Sequence, residues 1–179
     1  VALAVGHQGN EAVLADGKLL VLAQGWNGMV ARLDPDGSMD TTLGGSGMIF
    51  FEAGAGYLRS EAFSTLPQTD GQFFIAERAI SDTENIWRGF LAHYHADGTL
   101  DTGFGNGGRL FWGDATQIAS VAIQTDGKIV VAGTDSSING SDNLVVARYH
   151  ADGSLDTSFG SNGKTSNLPG LNTSASTAV

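Results

Sequence analysis

Apolar and polar positions along this chain follow one beat, short apolar runs separated by polar turns, and the beat is played three times. "VLADGKLLVLA" (13–23), "PQTDGQFFIA" (67–76) and "IQTDGKIVVAG" (123–133) align without a gap around Asp16, Asp70 and Asp126. Asp-Gly between two apolar runs signals a β-hairpin, because the tight turn demands a positive φ that Gly adopts freely. A second motif follows each hairpin: "DGSMDTTLG" (36–44), "DGTLDTGFG" (97–105) and "DGSLDTSFG" (152–160). Copies of the first turn lie 54 and 56 residues apart, and copies of the second 61 and 55. That period is about the length of one four-stranded propeller blade.

The third copy displays its elements most plainly. "SVAIQ" (120–124) and "KIVVAG" (128–133) flank the first turn, "LVVARYH" (144–150) follows a polar loop, and a last short strand falls near "GKTS" (163–166). The middle runs are almost continuously apolar, as expected of strands covered on both faces. No segment sustains a 3.6-residue apolar period, so the chain reads as all-β. The predicted fold is a β-propeller segment of three four-stranded antiparallel blades, with a linear β repeat array as the alternative. The repeats span 11–52, 62–112 and 119–168. Residues 1–10, opening on "VALAVG", read as the fourth strand of a preceding blade or as a seam strand, and 169–179 as a linker-like tail. Propellers close with about four to eight blades. Three repeats therefore lead to the expectation of an excerpt from a longer chain, or of another subunit completing the ring.

Composition narrows the chemistry. The 179 residues carry a net charge of −10 and no cysteine. The charge disfavours nucleic acid and anionic membranes as partners. The absence of cysteine excludes disulfides, Cys-zinc sites and a Cys nucleophile. No 18-residue apolar run offers a membrane span. No nucleophile elbow, HExxH or phosphate-binding loop occurs. "GFGNGG" (103–108) is the second turn running into the next strand rather than a dinucleotide fingerprint. The expectation is a protein without catalytic residues or cofactor.

The nine-residue turn reads as structural. Asp36, Asp97 and Asp152 suit Asx-type turns followed by a left-handed Gly, and Asp40, Asp101 and Asp156 suit caps over the turn that follows. Leu43, Phe104 and Phe159 are placed to plug the gap between blades. Arg32, His93 and Arg148 occupy equivalent positions in an apolar strand, where a basic group must be paired or reach water. Their expected partners are Asp40, Asp101 and Asp156. The alternative is calcium at Asp34, Asp36 and Asp40, spaced like the start of an oxygen-rich loop. Against it, the first position becomes His95 and His150 in the other copies, and no bidentate Glu follows.

In an up-and-down blade, the Asp-Gly turns emerge at one end and the variable loops at the other. Trp26, Trp87 and Trp112, with Tyr57 and Arg88, fall at or beside the variable end. Aromatics among polar residues on variable loops form a candidate ligand face, glycan being the expected ligand.

"IQTDGKIVVAG" followed by "LVVARYHADGSLDTSFGSNGK" (144–164) resembles the bacterial delta-60 repeat. The second copy departs from that pattern at Gln72 and His93, and the first at Leu14, Pro35 and Leu43. The resemblance implies a propeller-like fold in a secreted or cell-surface bacterial protein and carries over no catalytic residue. The resulting expectation is a non-catalytic structural or assembly module. Its partners would be neighbouring blades of the same longer chain or another subunit. Recognition of glycan or protein through the tryptophan-bearing face is the alternative.

Overall fold

The computed structural model describes residues 11–23, 28–51, 56–114, 116–135 and 143–166. Twelve strands lie among these residues and no helix does. The first sheet holds β1 (Glu11–Val13), β2 (Leu19–Ala23), β3 (Met29–Leu33) and β4 (Met48–Phe50). The second holds β5 (Tyr57–Pro67), β6 (Phe73–Ser81), β7 (Trp87–Tyr94) and β8 (Arg109–Asp114). The third holds β9 (Thr116–Ile123), β10 (Ile129–Asp135), β11 (Asn143–Tyr149) and β12 (Lys164–Ser166). Each strand pairs antiparallel with the next in its sheet. The chain is a three-bladed β-propeller segment whose sheets do not close a ring among the described residues. The expected strand at "VALAVG" and the tail at 169–179 lie outside them. The second sheet starts at Tyr57, ahead of position 62. Bulges between Tyr57 and Arg59 and between Ala62 and Ser64 break the alternation that marks a strand in sequence.

Both Asp-Gly turns share one geometry. In the first, Gly17 N–H donates to the Leu14 carbonyl (3.0 Å) and Leu14 N–H to the Lys18 carbonyl (2.8 Å). Gly17 sits at φ 85°, the left-handed position that closes a three-residue hairpin loop. Asp34 to Ser38 repeats the arrangement at the second turn, with Gly37 N–H on the Asp34 carbonyl (2.9 Å). That small hairpin returns the chain to Asp40, whose N–H donates to the Arg32 carbonyl (2.9 Å). A second bend then delivers Met48 to β4.

The blades stack face to face, and strand alternation divides each middle strand between two cores. In β6, Phe73 and Ile75 face the first blade, where Leu20, Leu22, Val30 and Leu43 meet them. Phe74 and Ala76 face the third blade, against Ile129, Val131 and Ala147. β6 is accordingly buried at eight of its nine positions, whereas β2 and β3 are buried at alternate positions only. Leu43 and Phe104, equivalent residues of the nine-residue turn, are 0% and 1% exposed in successive cores. Truncating a buried Phe costs about 3–5 kcal/mol. Phe104→Ala should lower unfolding free energy by about that amount in urea denaturation, and a loss below about 1 kcal/mol would place Phe104 outside the core.

Candidate functional site

The feature that repeats with the least variation is the nine-residue turn, and both of its aspartates are hydrogen-bonded in every copy. Asp36 Oδ1 accepts from Ser38 N–H (2.9 Å) and Ser38 Oγ–H (2.6 Å). Asp97 does the same with Thr99 (2.9 and 2.6 Å), and Asp152 with Ser154 (2.8 and 2.6 Å). These bonds, the hydroxyl's foremost, hold all three carboxyls below the ordinary range. Four residues on, Asp40 Oδ1 caps Thr42 through N–H (3.1 Å) and hydroxyl (2.6 Å). Asp156 repeats this with Ser158 (3.1 and 2.6 Å). Asp101 keeps only the backbone half, from Gly103 N–H at 3.0 Å.

The other oxygen of each capping carboxylate takes the basic residue of the preceding strand. Arg32 Nε donates to Asp40 Oδ2 (2.6 Å) and Arg148 Nε to Asp156 Oδ2 (2.8 Å). His93 Nδ1 lies 2.9 Å from Asp101 Oδ2, with its ring stacked on Phe74 at 4.3 Å. Lysines from the first turn join two of the three sites: Lys18 Nζ reaches Asp40 at 2.7 Å, and Lys128 Nζ reaches Asp156 at 3.2 Å. At Asp40, burial opposes ionisation, but bonds from Lys18, Thr42 and Arg32 outweigh it and hold the carboxyl well below the usual range. At Asp156 the Ser158 hydroxyl leads, burial opposes, and Lys128 and Arg148 add to it. Asp101 is lowered chiefly by His93. Asp40 is thus saturated with protein donors, two of them cationic, which leaves it poorly suited to a calcium loop with Asp34 and Asp36. Among the described residues, no three His, Asp or Glu gather as a metal site.

The turn also joins neighbouring blades. Gly44 N–H donates to the Asp97 carbonyl and Gly105 N–H to the Asp152 carbonyl, both at 2.8 Å. Each bond runs from the last residue of one copy to the first residue of the next. Arg32 Nη1 crosses the same boundary to the Ala96 carbonyl (2.6 Å). Space enforces the fit: a Cβ on Gly153 would lie 2.8 Å from Gly105 N and 3.0 Å from the Phe104 ring.

The predicted ligand face does not assemble as one platform. Trp26 lies outside the described residues. Trp112 is buried between the second and third blades, 4% exposed, because its strand position puts it in the core with Leu110 and Ile118. Trp87 is half-buried, and the guanidinium carbons of Arg78 and Arg59 approach its ring at 4.4 and 5.2 Å. Tyr57 packs edge-on against Phe90 at 5.3 Å. The register puts Tyr57 and Arg88 on the face of the second blade toward the first, and Trp87 on the opposite face. Arg88 forms an ion pair with Glu84. A groove of about 310 Å³ lies instead beside the joint between the second and third blades, bordered by Arg109, Tyr149, Leu155 and Lys164.

One pair escaped the sequence reading. Glu77, 2% exposed in the middle of β6, accepts from Arg109 Nε at 2.7 Å, while its Oε2 has no hydrogen-bond partner among the described residues. Burial pushes this carboxyl up, against the pull of Arg109. The available signal was departure from the repeat, since Ala23 and Gly133 occupy the equivalent positions and Met48 and Lys164 those of Arg109.

Three stacked blades tied by a repeated turn define a β-propeller repeat protein. Residues 14–43 and 124–159 match a domain of unknown function (DUF5122) described as a beta-propeller. The matches end on Leu43 and Phe159, equivalent plug positions of the first and third copies. The middle repeat lies outside both matches and still folds into the same sheet with the same turns. No curated protein and no solved structure matches the chain.

The lowered carboxyls set a pH dependence. An unfolded Asp titrates near about 3.9, whereas Asp40, Asp101 and Asp156 titrate below that in the fold. Their contribution is therefore fully present above about pH 4–5 and lost as the pH falls through their folded-state values. Asp40→Asn, which keeps the cap and removes the charge, should be less stable at pH 7. It should also show a shallower loss of urea midpoint between pH 5 and pH 2; a curve parallel to that of the unmodified chain would contradict the assignment.

Proposed function

We propose that the chain is a non-catalytic structural and assembly module, of the secreted or cell-surface kind that its resemblance to the delta-60 repeat implies. The observation that carries this reading is the backbone bond from the closing Gly of one turn to the opening Asp of the next, made twice at 2.8 Å. The nine-residue motif serves as a joint. Its carboxylates are spent on its own backbone, hydroxyls and basic neighbours, and its Gly-Phe contact sets the distance between blades. Each carboxylate of the motif that recurs in all three copies has such a structural partner.

The joint can be tested where space is tightest. Gly153 and Gly107 both hold positive φ (83° and 63°), so alanine is strained at either. A Cβ at Gly107 meets nothing within 4 Å, whereas one at Gly153 presses on the preceding blade's backbone. Gly153→Ala should therefore be less stable than Gly107→Ala by about 1–3 kcal/mol in urea denaturation. Equal stabilities would remove the joint from the account.

A second reading, recognition of glycan or protein at the variable-loop end, draws support from the side chains around the β6–β7 turn. Trp87 is half-buried there, and Leu58 and Ile86 are 66% and 39% exposed nearby. Such exposed apolar groups favour a protein or sugar surface over bulk water. Trp87→Ala should then abolish any glycan-array signal given by the unmodified chain while leaving the urea midpoint nearly unchanged. A signal that survives the substitution would rule out Trp87 as the contact.

A further inference from the structure

The first residue of a blade's last strand sends its side chain toward the blade before it. Arg109 holds that place in the second blade and Lys164 in the third, opposite Ala92 and Ala147, which lie in the two inter-blade cores. Arg109 meets a built-in carboxylate, since Glu77 on the same face accepts from its Nε at 2.7 Å. Lys164 does not. Gly133 stands where Glu77 stands, and a Cβ there would lie 2.2 Å from the Gln117 carbonyl oxygen. The bulge between β9 and β10 thus leaves no room for a side chain at this point. Seven of the nine lysines and arginines pair with a carboxylate among the described residues. Lys164 pairs with none among them, and its ammonium lies over the Trp112 ring instead, 5.6 Å from the centroid.

This lysine borders the groove of about 310 Å³ beside the joint between the second and third blades. Phe111, which is 52% exposed, and Leu155 give the groove apolar borders, and Asn106 and Tyr149 add polar atoms. Among the described residues no Asp or Glu borders it, on a chain whose net charge is −10. Arg109 also reaches the border, but its Nε is committed to Glu77. The volume stands at the small end of ligand pockets, which run about 300–1,000 Å³. A cation that no carboxylate neutralises attracts an anion, and does so more strongly beside apolar walls than in open water.

We infer that this groove binds a small organic carboxylate, whose anionic group takes beside Lys164 the place that Glu77 takes beside Arg109. The apolar part of the ligand lies against Phe111 and Leu155. Binding draws the ammonium from the indole to the carboxylate, so the Trp112 ring reports occupancy. Charge and size set the ligand class: a neutral molecule leaves Lys164 on its indole, and the groove accommodates a molecule of about one ring. The joint between the first and second blades offers no such site, because its own carboxylate already neutralises the equivalent cation.

Two acids probe the site, sodium glucuronate and sodium benzoate, titrated into the nitrogen-15-labelled chain at about 0.15 M ionic strength. At least one should shift the Trp112 indole N–H resonance saturably, that resonance being assigned by its loss in Trp112→Phe. A response to glucuronate alone makes the ligand a sugar acid, and a response to benzoate alone makes it an apolar acid. The neutral counterparts, glucose and benzamide, should leave the resonance in place. Lys164→Met should weaken binding of the responding acid about tenfold, the loss of one charge-assisted contact. Its urea midpoint should stay close to that of the unmodified chain, because the side chain is partly exposed. Lys164→Arg, which keeps the charge, should retain binding. No saturable shift with either acid, or a response unchanged in Lys164→Met, would overturn the site. An equal response to the neutral counterparts, or to sodium sulfate at the same ionic strength, would overturn it as well.

Discussion

The distance between neighbouring blades is set by main-chain atoms, Gly44 to Asp97 and Gly105 to Asp152. A backbone bond of this kind contributes about 0.5–1.5 kcal/mol net, so its importance lies in position more than strength. It pins one end of each sheet to the next, and the apolar faces then have one register in which to interdigitate. Leu43 and Phe104 enter their cores from residues adjacent to the bond. Without the bent main chain that aims them, the same side chains would project from a loop into water.

That bent main chain is in turn held by charge. Asp40 and Asp156 each satisfy a backbone N–H and a hydroxyl with one oxygen and accept from a basic side chain with the other. The carboxylate thus ties the turn to the strand before it. In the second repeat, His93 replaces the arginine, gives up the reach across the joint, and gains a stacked contact with Phe74. The substitution is coherent locally: the strand position stays basic, the motif Asp stays paired, and the aromatic core beside it becomes larger.

Much of this was legible because repetition acts as an internal control. Three copies of Asp-Gly at constant spacing mark the hairpins, and the recurrence of Arg32, His93 and Arg148 in apolar strands demands the acidic partners that are found. The joint itself was not legible, since a bond between the backbones of Gly44 and Asp97 leaves no signature in side-chain chemistry. The placement of the aromatic side chains was not legible for a related reason. Loop proximity in sequence does not reveal which side of a strand a residue takes, and the β5 bulges change that side without changing composition. Trp112 was drawn into a core and Trp87 and Tyr57 onto opposite faces by alternation together with these register shifts. Glu77 and Arg109 stood out only as departures from their repeat equivalents.

A joint made largely from main chain and glycine has a bearing on how such proteins grow. A duplicated segment of one period brings with it both a donor Gly and an acceptor Asp carbonyl, so a newly copied blade fits its neighbours on arrival. Selection need not first invent a matching surface. The side chains at equivalent positions of the faces can then differ from copy to copy, as Leu20 and Phe74 or Leu33 and Tyr94 do here. Lineages can therefore gain or lose copies by unequal recombination while the geometry between any two survivors stays the same.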